Sequence, residues 1–223
     1  LLGQGLALAA EALTVPASEL LEAPILADRD ALSAEGAAWA ALGALERGAL
    51  EEARATIAAM FKAQAPTGQL PARLTRRAGL LDGLRQVAGR PVPRRPLTAA
   101  TYAASPADGA YHTALLAWAC GEYAVRTGDV AFAEAHVVAL EAALEWVDAQ
   151  DARGVGGDAA YHQAQMAVGH LAIGRGDAVA GARRWAAAAA AKGRIQDAER
   201  DARTGATDEL LAVYIGACDR ATA

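Results

Sequence analysis

Residues Val125 to Ala135 read VRTGDVAFAEA, a junction at which one helix closes and another opens with no linker between them. Gly128 is the residue type that takes the left-handed conformation just past a helix end, and Asp129 is a side chain that caps the next helix by accepting from its free N–H groups. The same junction recurs as LERGALEEA around Gly48 and as GRGDAVAGA around Gly176, where Asp177 takes the capping position. Three such junctions predict antiparallel helix hairpins, in each of which small residues on the second helix permit close backbone approach. The glycines are unevenly spaced and lie farther apart than the roughly 34 residues of a tetratricopeptide unit, which argues against a regular solenoid.

Helical periodicity extends outward from these junctions. Leu50, Ala53, Ile57, Met60 and Phe61 mark one face of a helix from about Ala49 to Gln64. Phe132, His136, Leu140, Leu144 and Val147 do so for a helix from about Val130 to Gln150. Further stripes run through Asp30–Glu46, Gly109–Arg126, Asp158–Gly174, Ala178–Lys192 and Asp208–Arg220. With the opening segment and a short piece at Leu80–Val87, roughly eight or nine helices of ordinary length are expected. No segment shows period-two alternation. The stretches Ala65–Thr75, Gly89–Ala107 and Gln150–Asp158 read as irregular connections.

Composition agrees with this pattern and excludes several classes of function. Ala supplies 63 of the 223 residues, and aromatics only 5%, so the core is built from small side chains that favour helix over strand. Hydrophobic residues at 54% place the chain among folded proteins, and a net charge of -5 argues against a basic nucleic-acid binder. Lys occurs only at Lys62 and Lys192, so nearly all the positive charge is Arg. No apolar run reaches a membrane span, and the apolar start, Leu1 to Leu13, lacks the basic flank and cleavage pattern of a signal peptide. Cys120 and Cys218 sit among apolar helical neighbours without metal-ligand spacing, which suits buried thiols in a reducing, cytoplasmic setting. One all-α domain over 1–223 is therefore expected; no cofactor or metal is called for, and homo-oligomerisation is left open.

Four segments, in order, carry a family resemblance. They are ADRDAL at Ala27–Leu32, the hairpin GALERGALEEARATI, the loop KAQAPTGQLPARL at Lys62–Leu74, and SPADGAYHTALLAWACGEYAVRTGD at Ser105–Asp129. This part of the chain, a little over half of it and contained in 27–150, resembles the catalytic domain of glycogen-debranching enzymes of the amylo-1,6-glucosidase type. Those enzymes belong to the six-hairpin (α/α)6 toroid glycosidases. The resemblance implies a partial or shortened toroid, because a full ring has twelve helices. It also implies binding of an α-glucan or oligosaccharide, with hydrolysis of glucosidic bonds by inversion if both carboxyl groups are present.

Inverting hydrolysis needs one protonated and one ionised carboxyl group about 6.5–9.5 Å apart. By its likeness to the family's Trp-any-Asp-Ala segment, EWVDAQD offers Trp146 as a sugar-binding residue and Asp148 as the general acid; Glu209, beside Asp208, is the candidate base by type and position only. The resemblance marks Arg29 and Asp30 as a hydroxyl clamp, Gln64, Gln69 and Arg73 as loop-borne contacts, and Asp108 with Tyr111 as further substrate contacts. Each has an ordinary alternative: Asp30 as a helix cap paired with Arg29, a turn built by Pro66, Gly68 and Pro71, Asp108 complementing a helix dipole, and Asp148 as a solvated charge. An inactive homologue serving as a scaffold or helical interaction module is the competing expectation. His136 reads as a satisfied core histidine, His162 and His170 lack the carboxylate of a metal site, and GVGG at Gly154–Gly157 lacks the Lys-Ser/Thr of a phosphate loop.

Overall fold

A computed structural model describes residues 31–76, 97–151 and 153–201. In chain order the elements are β1 (Ala31–Ser33), α1 (Ala34–Arg47), α2 (Leu50–Lys62), β2 (Arg73–Arg76), β3 (Leu97–Thr101), α3 (Pro106–Thr127), α4 (Val130–Asp148), α5 (Gly154–Gly174) and α6 (Ala178–Asp201). The described residues are predominantly helical, with one small sheet. The expected helices in the opening segment, at Leu80–Val87 and at Asp208–Arg220, together with Cys218, lie outside the described residues.

The three junctions close as their residues dictate. Gly48 and Gly128 follow α1 and α3 at φ 74° and 65°, and Gly176 follows α5 at φ 84°. Asp129 Oδ1 accepts from Phe132 N at 2.9 Å and Asp177 Oδ1 from Ala180 N at 2.9 Å, so each side chain satisfies an N–H that the helix itself leaves free. Ser33 and Ser105 cap α1 and α3 in the same way.

Contacts at both ends establish that α1, α3 and α5 run parallel. Tyr111 near the start of α3 bonds to Glu35 near the start of α1, and Arg126 near its end pairs with Glu46. Gly157 lies against the Tyr111 backbone, and Gly121 against Ala167 and Val168, so α3 and α5 advance together. Helices α2, α4 and α6 return in the opposite sense. Between α5 and α6 the small residues do what the composition suggests: a Cβ added at Gly181 would collide with Ile173 and come within 3.1 Å of the Gly169 carbonyl oxygen.

The core lies along α1 and α3, where Trp39 and Trp118 meet edge to face at 5.6 Å and Ile57, Met60, Leu115, Leu140 and Leu144 are buried around them. Of the expected apolar stripes, Leu50 is the exception and is exposed. His136 stacks on Phe132 and its Nδ1 lies 2.9 Å from the Phe132 carbonyl oxygen, while Cys120 is a buried free thiol.

The sheet corrects two expectations: β1 occupies the start of the stretch Asp30–Glu46 read as helix, and β2 and β3 form largely within stretches read as irregular connections. β2 lies between β1 and β3, antiparallel to both, with Leu32 opposite Leu74 and Leu74 opposite Ala100. Strands of three to five residues are too short to show alternation; Leu32 and Leu74 are the two residues of the sheet that are fully buried. A further correction concerns α5, which begins at Gly154, so GVGG forms its first turn rather than a loop before it. Gly has low helix propensity, but at Gly157 its missing side chain lets α5 approach the Tyr111 backbone.

Candidate functional site at the loop end

The N-termini of α1, α3 and α5, the C-termini of α2, α4 and α6, the sheet and the loop 63–72 share one end of the molecule. The three glycine turns occupy the other. Most of the expected site residues that the structure describes lie at the loop end.

The loop is braced by side chains. Gln64 donates from Nε2 to the carbonyl oxygens of Gly68 and Ala139, both at 2.8 Å, and so ties the loop to α4. Gln69 donates from Nε2 to Ala103 O at 3.3 Å. A Cβ at Gly109 would stand 2.8 Å from both Gln69 Nε2 and the Trp146 ring, so Gln69 and Trp146 both meet the first turn of α3 at Gly109. Gln69, Trp146 and the Asp108–Tyr111 turn are thus brought together. Arg73 is exposed on β2, between Ser33 and Thr101, with no side-chain partner among the described residues. Arg29, Asp30 and Glu209 lie outside the described residues.

On the α1–α3 side, Tyr111 donates to Glu35 Oε1 at 3.2 Å. Burial, then the Glu35 charge and hydrogen bond, push the Tyr111 phenol well above its usual range. His112 stands next to it, rings 5.6 Å apart. Burial lowers the His112 value, opposed by the charges of Glu35 and Asp108, and its Nδ1 is buried with no partner among the described residues. Asp108 itself is exposed in the first turn of α3.

On the α4–α6 side, Asp148 accepts a hydrogen bond from the Tyr161 hydroxyl and lies 3.8 Å from Arg153. Arg153 also donates from Nε to Asp158 Oδ1 at 3.2 Å, and its guanidinium lies 4.9 Å from the centre of the Tyr161 ring. Arg194 reaches the buried Asp158 with Nη2 at 2.6 Å and Nε at 3.1 Å. Burial and the Asp148 hydrogen bond raise Tyr161 well above the ordinary phenol range.

Glu35, Arg153, Asp158, Tyr161 and Arg194 were not among the expected site residues. A signal for some of them is present in the chain: Asp108-Gly-Ala-Tyr-His112 in α3 is repeated as Asp158-Ala-Ala-Tyr-His162 in α5. Parallel helices carry both copies at the same end. The copies differ in use, because His162 Nδ1 lies 2.9 Å from Ala188 O whereas His112 Nδ1 has no hydrogen-bond partner among the described residues.

The arrangement places the half-buried Trp146 indole beside the Gln69 amide, and two carboxylates, Asp148 and Asp158, are linked through one guanidinium. Both Asp148 neighbours are donors and both meet Oδ1, which therefore serves as an acceptor. Among the described residues no group of three or more His, Cys, Asp or Glu side chains could hold a metal ion, and no helix is long and apolar enough to cross a membrane. Comparison with family models, curated proteins and solved structures returns no match for the chain.

Proposed function

We propose that the loop end binds an α-glucan or related oligosaccharide, on a shortened (α/α) toroid scaffold akin to that of the glycogen-debranching glucosidases. The observation that carries this reading is the closure of Gln69 and Trp146 on Gly109, beside Asp108 and Tyr111. An indole beside an amide suits a sugar ring, which presents C–H groups on its faces and hydroxyls around its rim. Three parallel helices with returning partners also agree with an arc of such a ring.

Calorimetric titration of the full chain with maltooligosaccharides and a branched limit dextrin tests the proposal. Saturable binding that weakens about tenfold or more in Trp146→Ala and in Gln69→Ala is expected. Absence of heat with every glucan would overturn it.

In the hydrolytic form of this reading Asp148 is the acid, Glu209 the base, and glucose release from the branched dextrin the readout. A non-catalytic glucan-binding protein is favoured by one observation, the use of Asp148 as an acceptor by both Tyr161 and Arg153. Binding without glucose release selects that second form.

A further inference from the structure

At the glycine-turn end, away from the loop-end site, α4 packs mainly on α3 and barely touches α5. The gap is an open cleft of about 250 Å³ with a floor of Ala124, Ala133 and Leu171. It continues into a smaller hollow along α4 that ends near Glu141, which pairs with Arg184 of α6. Large apolar side chains surround the cleft in the open. Val130 at its mouth is 66% exposed, and Val125 of α3, which also lines it, is 40% exposed. His170, which lines the cleft, meets Trp185 of α6 edge to face at 5.3 Å. An apolar patch of this kind on a folded protein marks an interaction surface.

Two charges decide what fits it. Glu134 and Arg175 both line the cleft, on opposite walls, and neither has a side-chain partner among the described residues. A patch that holds an unpaired acid and an unpaired base over one apolar floor is complementary to itself. A two-fold interface has that requirement, since residue i of one subunit meets j of the other and j meets i. We infer that this cleft is the homodimer surface of the protein, with Glu134 of each copy paired to Arg175 of the other and Val125 and Val130 buried between them. This inference does not depend on the glucan proposal.

Sedimentation equilibrium of the 223-residue chain over a wide concentration range tests it. A reversible dimer is expected, and Glu134→Arg or Arg175→Glu alone should weaken it by about tenfold or more by setting like charges against each other. Mixing the two variant chains in equal amounts should restore association, because the heterodimer then holds two opposite-charge pairs. Val130→Glu should abolish the dimer, and circular dichroism of each variant should match the wild type because all three positions lie at the surface. A wild-type chain that stays monomeric at every concentration, a dimer indifferent to both charge reversals, or a mixture of the two variants that fails to associate would each overturn the inference.

Discussion

The helix junctions at one end of this molecule and the packed loop at the other are closed by different kinds of bond, although the ion pairs Arg126–Glu46 and Arg54–Asp129 also link distant residues at the glycine-turn end. At the glycine-turn end each junction is closed by residues within a few positions of one another: Gly48 N–H to the carbonyls that end α1, Asp129 to Phe132 N, Asp177 to Ala180 N. At the loop end the bonds join residues far apart in the chain, such as Gln64 to Ala139, Leu70 N to Thr113 Oγ1, Tyr111 to Glu35 and Arg194 to Asp158. Local closures contribute independently and tolerate change. Long-range ones share partners, so the loss of one leaves several groups unsatisfied.

A single kind of substitution, Gly to Ala, tests the contrast at its strongest. At Gly68, φ is 98°, and a Cβ would drive into the Ala142 carbonyl and stand 3.1 Å from Trp146 Cβ. Neither is a flexible side-chain tip that can swing away. Gly68→Ala is expected to cost more than about 3 kcal/mol in urea unfolding, from combined strain and overpacking. A loss below about 1 kcal/mol would mean that the loop is not braced against α4 as described.

Next in size is Asp158→Asn. Asp158 is buried and holds both Arg153 and Arg194, so the variant leaves two cations facing a neutral amide. Removing one member of a buried pair costs about 3–5 kcal/mol, but Arg194 is 42% exposed and water recovers part of that loss. About 2 kcal/mol is the expected effect, again by urea unfolding. An unchanged midpoint would show that the network contributes no net stability.

At the other end Gly48→Ala should cost only about 1 kcal/mol. Its φ of 74° strains any L side chain, yet nothing lies within 4 Å of the added Cβ. The ratio between the Gly68 and Gly48 losses is the quantity to compare; equal losses would erase the distinction drawn between the two ends.

That distinction also explains what could be read from the amino-acid order. Caps and turns at Gly48, Gly128, Asp129, Gly176 and Asp177 depend on neighbours within one helical turn, so the residues announce them. The strands do not announce themselves, because β1 holds one inward Leu and its pairing with β2 joins residues some forty positions apart. Asp108, Tyr111 and His112 stand out as a group because they share one turn of α3. Glu35, which accepts the Tyr111 hydrogen bond from another helix, carries no local mark. Asp148 stands out through its Trp neighbour, whereas Tyr161 and Arg153, which occupy its oxygen, become its partners only when α4 and α5 meet.

The smallest expected effect separates the ends by pH. His112 at the loop end has its value lowered, chiefly by burial, so the folded chain resists a proton that the unfolded chain accepts. In linkage terms the unfolded state binds more protons, and stability falls as pH drops below the ordinary histidine value of about 6.5. Glu122, one turn before Arg126 and near Glu46 at the glycine-turn end, is raised, again chiefly by burial. The folded chain keeps a proton that the unfolded chain releases, so that contribution is complete below the ordinary glutamate value of about 4.3 and is lost as pH rises through the raised one. The two slopes have opposite signs. Melting temperatures recorded from pH 4 to pH 8 should therefore lose their acid-side decline in His112→Gln and their loss on rising pH in Glu122→Gln. Each variant should leave the other's slope in place, because the two groups lie at opposite ends of α3 and the charges named for each belong to its own end. A substitution at one end that removed both slopes would show that the ends titrate as a unit, and their division into a local and a long-range half would not hold.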